Sequence, residues 1–324
     1  MRAGIIGVGS ALPERILTNK DLERFLDTSD AWISTRTGIS ERRIIDDNEG
    51  VSDLAARAAT AAIHNAGLAL ANIDFILMAS ASPETVWPST ACLTQAKLGL
   101  VGVPALDIQA ACSGFTYGLT LADSLAKSGQ YRNILLIGAE AMSRYLDWRD
   151  RNTCVLFGDA AAAVVVARVD NCGIIDNYLG ANGEGADILK ISTAEAGSLA
   201  KPEQLSLGPV VAMNGREVYR FAVKTVKESI DDILTKHGLN ANDLDFLLLH
   251  QANQRINDQI TAHLDIDADK VPSNIARYGN TSSASIPLLM DELVSQGKLR
   301  AGHRVLTVGF GAGLTWGANL IEWC

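Results

Sequence analysis

Residues 103–129, VPALDIQAACSGFTYGLTLADSLAKSG, decide the reading of this chain. The apolar run Val103 to Ile108 is β-compatible and leads through Gln109-Ala110-Ala111 into Cys112. From Ser113 to Lys127 the pattern turns helical, with Leu119, Ala122, Leu125 and Ala126 on one face and Gly129 as the stop signal. Cys112 is therefore expected where a strand hands over to a helix N-terminus, beside unpaired backbone N–H groups and the positive end of the macrodipole. A thiol at such a place loses its proton more readily than in free solution. Ala110, Ala111, Ser113 and Gly114 are small enough to let a substrate carbonyl approach the sulfur. On local pattern alone, a buried cysteine packed as a small hydrophobe is the commoner outcome.

Composition narrows the classes. The 324 residues are 48% hydrophobic and 20% charged, which demands a large core and argues against disorder. The length allows roughly two domains. A net charge of −9 disfavours a general nucleic-acid binder, which needs an excess of Lys and Arg. The five cysteines, Cys92, Cys112, Cys154, Cys172 and Cys324, include no CxxC pair. Their odd number points to a reducing compartment and to neither a disulfide framework nor a zinc site. The opening MRAGIIGVGSALPERILTNKD breaks its apolar run at Pro13, Glu14 and Arg15, so it does not read as a signal peptide. No apolar run approaches the roughly 18 residues of a membrane span. A soluble, cytoplasmic protein is expected.

Along the chain, Ala3 to Val8 reads as a first strand. The following Gly7-Val8-Gly9 falls short of a dinucleotide fingerprint, because Leu12 replaces its third glycine and Pro13 blocks a helix there. A helix from Ser52, capped by that serine and stopped at Gly67, precedes the strand Phe75 to Ala79. The same order returns later: a helix from Glu217 to His237, Gly238, then NANDLDFLLLH. Ile73-Asp74-Phe75 matches Leu244-Asp245-Phe246 at a spacing of 171, and Ile134–Ile137 before Gly138 matches Val305–Val308 before Gly309 at the same spacing. Two such matches indicate a duplicated α/β unit of mixed sheets sandwiched by helices, with the boundary near Val169–Gly173. An N-terminal half over residues 1–170 would hold Cys112, and a C-terminal half over 171–324 would hold His250 and Asn280. His250 ends the apolar run Phe246 to Leu249, at the C-terminal end of a strand where α/β proteins place ligands. Aligning the helix-ending Gly129 and Gly297, at a spacing of 168, sets Asn280 opposite Cys112. The three residues are thus expected to converge on the axis between the halves.

The segments DTSDAWISTRTGISERR, QAACSGFTYGL, FGDAAAAVVV, MNGREVYRFAV, HQANQRI, YGNTSSASIPL and GFGAGLTWG resemble the signature segments of the β-ketoacyl-acyl-carrier-protein synthase III family, from Asp27 to Gly317. That resemblance implies the thiolase fold, two similar α/β halves packed as a five-layered αβαβα sandwich. It implies an acyltransferase in which Cys112 takes a short acyl group from acyl-CoA. Malonyl on acyl carrier protein then loses CO2 and attacks the acyl-enzyme, initiating fatty-acid synthesis. By the same likeness His250 and Asn280 stabilise the enolate, and the backbone N–H groups of Cys112 and Ala312 form the oxyanion hole. Trp32 and Arg151 stack on the adenine of CoA, Arg36 meets its phosphates, and Asn253 lines the pantetheine tunnel. Arg220 and Arg255 belong to the basic patch that docks the carrier. The family implies a homodimer in the cytoplasm, with no metal and no cofactor beyond its thioester substrates.

Three positions depart from the common pattern. Trp87 stands where many relatives have Phe, at the floor of an acyl pocket contributed from the partner subunit, and favours short acyl groups. Tyr219 replaces Phe, and Ala312 replaces a Gly of some relatives. The helix after Arg255 carries Asp258 and only His263 where lysines are common. Three other readings compete: a degradative thiolase, which needs a second cysteine that GFGAG lacks; a related ketosynthase III-like acyltransferase of secondary metabolism; and a cysteine hydrolase using Cys112 with His250.

Overall fold

The computed structural model describes residues 2–191 and 209–324. Its main elements in chain order are β1 (Arg2–Ala11), α1 (Asp30–Thr37), α2 (Val51–Asn65), β2 (Phe75–Ala79), α3 (Thr90–Lys97), β3 (Ala105–Ile108), α4 (Gly114–Ser128), β4 (Asn133–Glu140) and β5 (Ala160–Val169). There follow β6 (Gly173–Ala181), α5 (Gly215–Lys236), β7 (Phe246–Leu249), α6 (Gln254–Leu264), α7 (Ser285–Ser295), β8 (Arg304–Gly311) and β9 (Thr315–Glu322). One sheet has the order β1-β5-β4-β2-β3 and a second the order β6-β9-β8-β7.

The strands are apolar on both faces because both faces are covered. In β2, Phe75 and Leu77 point to the layer between the sheets, while Ile76 and Met78 point outward to α2. The middle layer is made of α4 and α7, whose Phe115, Leu119, Ile286 and Met290 join inward residues of both sheets in one core. The alanine face of α2 closes the outer side of the first sheet, and α5 and α6 close that of the second. The result is a five-layered α/β/α/β/α stack. Gly7 and Gly9 belong to this packing: a Cβ on either would come within 2.5 Å or less of the α2 backbone at Ala62. The glycine pair thus lets helix meet strand and turns no nucleotide loop.

Duplication extends to individual hydrogen bonds. The parallel pair Phe75–Ile134 recurs as Phe246–Val305. Asp74 accepts from the Asn133 N–H at 3.2 Å, and Asp245 accepts from the Arg304 N–H at 2.7 Å. Ahead of α4 and α7 stand matching 3-10 turns, Ala111–Ser113 and Ser282–Ala284, opened by left-handed residues Ala111 (φ 45°) and Ser282 (φ 48°). These turns keep the spacing of 171. The counterpart of Cys112 is therefore Ser283, and the expected pairing with Asn280 is corrected. α7 has 11 residues against 15 in α4, so the glycines that follow the two helices are not equivalent.

Two further expectations change. The N-cap of α2 is Gly50, and Ser52 instead donates to Glu84 at 2.7 Å. Cys172 and Cys324 form a disulfide with Cα atoms 5.4 Å apart. A separation of 152 residues hides this pair in the sequence, but Gly173 and Glu322 are antiparallel partners and bring the two cysteines together.

Candidate active site

Cys112 sits in the turn ahead of α4, 8% exposed, with Gly311 of β8 pressed against it. A Cβ at Gly311 would lie 2.7 Å from the Cys112 nitrogen. The helix end expected from the sequence is present, but the acidity expected of the thiol is not. Burial pushes the thiol up to about 12; the Ser282 hydroxyl acts against this, and Glu140 adds to it. A helix terminus contributes at most about 2 kcal/mol. Moving a thiol from about 9 to about 12 corresponds to roughly 4 kcal/mol, so burial prevails.

His250 follows β7, where its N–H donates to Val308 O at 2.9 Å. The ring is buried; its Nδ1 lies 2.7 Å from Ser285 Oγ, and its edge meets Phe310 with centroids 5.2 Å apart. Burial drives its pKa down to about 3, so the imidazole is neutral. Asn280 is fixed on both sides of its backbone, donating to Leu156 O at 2.8 Å and accepting from the Gly158 N–H at 3.0 Å. Its Oδ1 accepts from the Ser282 N–H at 2.8 Å. That bond assigns the carboxamide and leaves the Nδ2 hydrogens as its free donors.

One cavity of about 1140 Å³ is lined by Cys112, His250 and Asn280 together with Trp32, Arg36 and Asn253. At its mouth Ser29 caps α1 and presents Trp32 half-buried. The guanidinium groups of Arg36 and Arg151 lie 4.9 and 5.2 Å from that ring. Asn253 caps α6 through its Oδ1 and donates from Nδ2 to Arg36 O at 3.1 Å, tying the two walls. Arg255 also borders the cavity, its guanidinium 5.8 Å from the centroid of the Tyr219 ring. Exposed Arg220 pairs with Glu217 at 2.9 Å.

Arg151, Ala312 and Trp87 do not line the cavity. Arg151 borders it through Trp32. Ala312 lies between β8 and β9, outside the left-handed region, and its carbonyl accepts from Thr315 Oγ1 at 2.8 Å. Thr315 Oγ1 also lies 2.8 Å from Ser113 Oγ, which joins this loop to the turn of Cys112. Trp87 is 83% exposed and takes no part in its own chain's cavity.

Sequence reasoning missed three features. Glu140, at the end of β4, is fully buried, has no cation beside it among the described residues, and accepts from Ser82 Oγ and Ser283 Oγ at 2.6 Å each and from the Ala81 N–H at 3.0 Å. Burial raises its pKa while those donors restrain it. Its signal was a lone carboxylate closing an apolar run. Ser285 was hidden in a serine-rich stretch. Lys224 and Lys227 join Arg220 and His263 along one groove of α5, a grouping legible from their spacing of four and three residues. Among the described residues no cluster of His, Cys, Asp or Glu is arranged to hold a metal.

Comparison with known proteins gives consistent matches. The family model described as 3-oxoacyl-[acyl-carrier-protein] synthase III matches residues 106–183, and the model of its C-terminal part matches 234–323. The chain is 46% identical over 323 residues to the β-ketoacyl-[acyl-carrier-protein] synthase III of Caldanaerobacter subterraneus subsp. tengcongensis, covering 99% of this chain and 98% of the relative. The crystal structure of 3-oxoacyl-[acyl-carrier-protein] synthase III from Aquifex aeolicus VF5 superposes with a TM-score of 0.92 at 43% identity, covering 99% of this chain and 100% of that one. The priming β-ketosynthase of the R1128 polyketide pathway gives a TM-score of 0.93 at 33% identity, covering 99% of this chain and 96% of that one.

Proposed function

The chain belongs to the 3-oxoacyl-[acyl-carrier-protein] synthase III family, and from that premise we propose that Cys112 carries the acyl group while His250 and Asn280 stabilise the enolate. The fold is that of the family, and the activity is that of a condensing acyltransferase which initiates fatty-acid synthesis. The division into halves at 1–170 and 171–324 then separates the nucleophile from the two donors.

In the first step the Cys112 sulfur attacks the thioester carbonyl of a short acyl-CoA. The C–S bond to CoA breaks, and the thiol proton leaves with the CoA thiol. In the second, malonyl on acyl carrier protein loses CO2, and the electron pair passes to the thioester oxygen as an enolate. Its carbon attacks the acyl-cysteine carbonyl, the C–S bond to Cys112 breaks to give β-ketoacyl-carrier, and the released thiolate takes a proton from solvent to restore the thiol. Charge develops on the malonyl thioester oxygen, so decarboxylation needs donors aimed there and no base. The observation that carries this reading is the pair of donors on one cavity with the thiol: a neutral His250 and an Asn280 whose Oδ1 is already occupied. Backbone N–H groups of Cys112 and Ala312 serve the acyl carbonyl. Excluding water from the tunnel protects both thioester and enolate.

Trp32, Arg36 and Arg151 take the nucleotide end of CoA, and Asn253 borders its pantetheine arm. With the Arg151 guanidinium over Trp32, an adenine enters only as that guanidinium lifts from the ring. Arg220, Arg255, Lys224 and Lys227 receive the acidic carrier. A homodimer covers Trp87 and the neighbouring Val86, which is 85% exposed, and places Trp87 of one subunit at the floor of the other's acyl pocket. The scheme needs no cofactor besides the substrates. No helix among the described residues is long and apolar enough to cross a membrane, and CoA and carrier thioesters as substrates fit a cytoplasmic location.

The test is mass spectrometry of the protein after incubation with mixed acyl-CoAs, followed by condensation assays with malonyl-carrier and malonyl-CoA. A short acyl mass on the Cys112 peptide and preference for malonyl-carrier are expected. No acyl mass there would overturn the assignment, and preference for malonyl-CoA would turn it toward secondary metabolism.

A further inference from the structure

The imidazole of His250 acts as a donor only if its single proton sits on the nitrogen that faces the substrate. Its other nitrogen, Nδ1, meets Ser285, the first residue of α7, which is 1% exposed and whose Oγ lies 2.7 Å away. A hydroxyl has one proton to give and two lone pairs to offer. The Gln251 N–H points to the same Oγ at 3.4 Å and occupies one lone pair. Among the described residues, His250 Nδ1 is the one acceptor within hydrogen-bond distance of that hydroxyl. A proton on Nδ1 would strand the Ser285 hydroxyl proton in a dry interior, an unfavourable arrangement.

We propose that Ser285 is a positioning residue whose hydroxyl donates to His250 Nδ1 and so holds the imidazole proton on Nε2, making the ring a donor to the enolate oxygen. The choice of partner sets the role. A carboxylate at Nδ1 would accept, draw the proton to Nδ1, and leave Nε2 as a base. A donating hydroxyl imposes the reverse. The turn ahead of α7 is held firmly enough for this, since Ser283 Oγ donates to Glu140 Oε1 at 2.6 Å and the Ser282 N–H is bonded to Asn280. One short segment thereby orients both donors.

The inference rests on the condensing role given to His250, but its test does not. The full chain, with 15N-labelled histidine, is observed by NMR near neutral pH, the His250 signals being identified among the five histidines by their loss in His250→Ala. Nδ1 is expected in the range of an unprotonated acceptor and Nε2 in that of an N–H nitrogen. In Ser285→Ala the two signals move toward each other, and in Ser285→Thr, which keeps the hydroxyl, they stay. Decarboxylation of a malonyl thioester should fall roughly 10- to 100-fold in Ser285→Ala, the range seen when the outer partner of a ligating imidazole is lost. The loss should fall on that step rather than on acylation of Cys112, and Ser285→Thr should recover it. A proton on Nδ1 in the unmodified chain overturns the proposal; so does a Ser285→Ala variant with unchanged tautomer and decarboxylation. If Ser285→Ala does not fold, the spectrum of the unmodified chain decides alone. Failure of acyl-CoA to label Cys112 would remove the condensing role and leave the tautomer result standing.

Discussion

Burial around Cys112 changes how its reactivity should be tested. A thiol pushed up to about 12 is protonated at neutral pH, so its thiolate fraction grows with pH across the whole accessible range. Alkylation of Cys112 in the free enzyme should therefore climb steadily above pH 8, and a plateau below pH 7 would show that the helix end wins after all. Cys112→Ala is expected to abolish acyl transfer in a radiolabelled acyl-CoA assay. His250→Ala and Asn280→Ala should still acylate but lose about 10²- to 10³-fold in condensation, the usual cost of one oxyanion donor. Equal loss of acylation in all three would contradict the division of labour. The types of these residues were legible in the sequence, because each stands at the end of a recognisable element. Their electrostatics were not: the same strand-to-helix handover can be wet or dry, and here close packing, with Gly311 pressed against Cys112, makes it dry.

At the level of elements, apolar runs and helix stops sufficed to find β2, β4, β7 and β8 and the spacing that relates them. What failed was equivalence inside the repeat. Unequal lengths of α4 and α7 shifted the apparent match by three positions, whereas the left-handed Ala111 and Ser282 carry no mark that pattern reading detects. Among the described residues β3 likewise has no counterpart in the second sheet, and the spacing of 171 falls on the short helix Ile275–Tyr278 instead. The proposed carrier docking falls on α5 and the start of α6. Exposed cations meeting an acidic partner act chiefly on encounter and are screened by salt. The Michaelis constant for the carrier substrate should thus rise with ionic strength and with Arg255→Glu, and more so when Lys224 and Lys227 are also reversed. A salt-independent constant would place docking elsewhere.

For the whole molecule, the single chain leaves Val86, Trp87 and Val101 between 83% and 92% exposed. Apolar exposure of this size is the mark of a contact surface, and the proposed dimer would cover it. Sedimentation should give a dimer, and Trp87→Ala should lengthen the acyl chains accepted on Cys112; a monomer with unchanged chain preference would refute the shared pocket. The closing of the chain by Cys172 and Cys324 was unreadable because it depends on which strands become neighbours, not on any local pattern.

Ser283 occupies the place in the second half that Cys112 holds in the first, but its hydroxyl is committed to Glu140 and to Ala79 O at 2.8 Å. The internal symmetry therefore ends in unequal twins, a thiol lining the cavity and a hydroxyl held in the interior. No acyl group should accordingly appear on the Ser283 peptide however long the protein is exposed to thioester, because the mirror position offers no atom free to receive one.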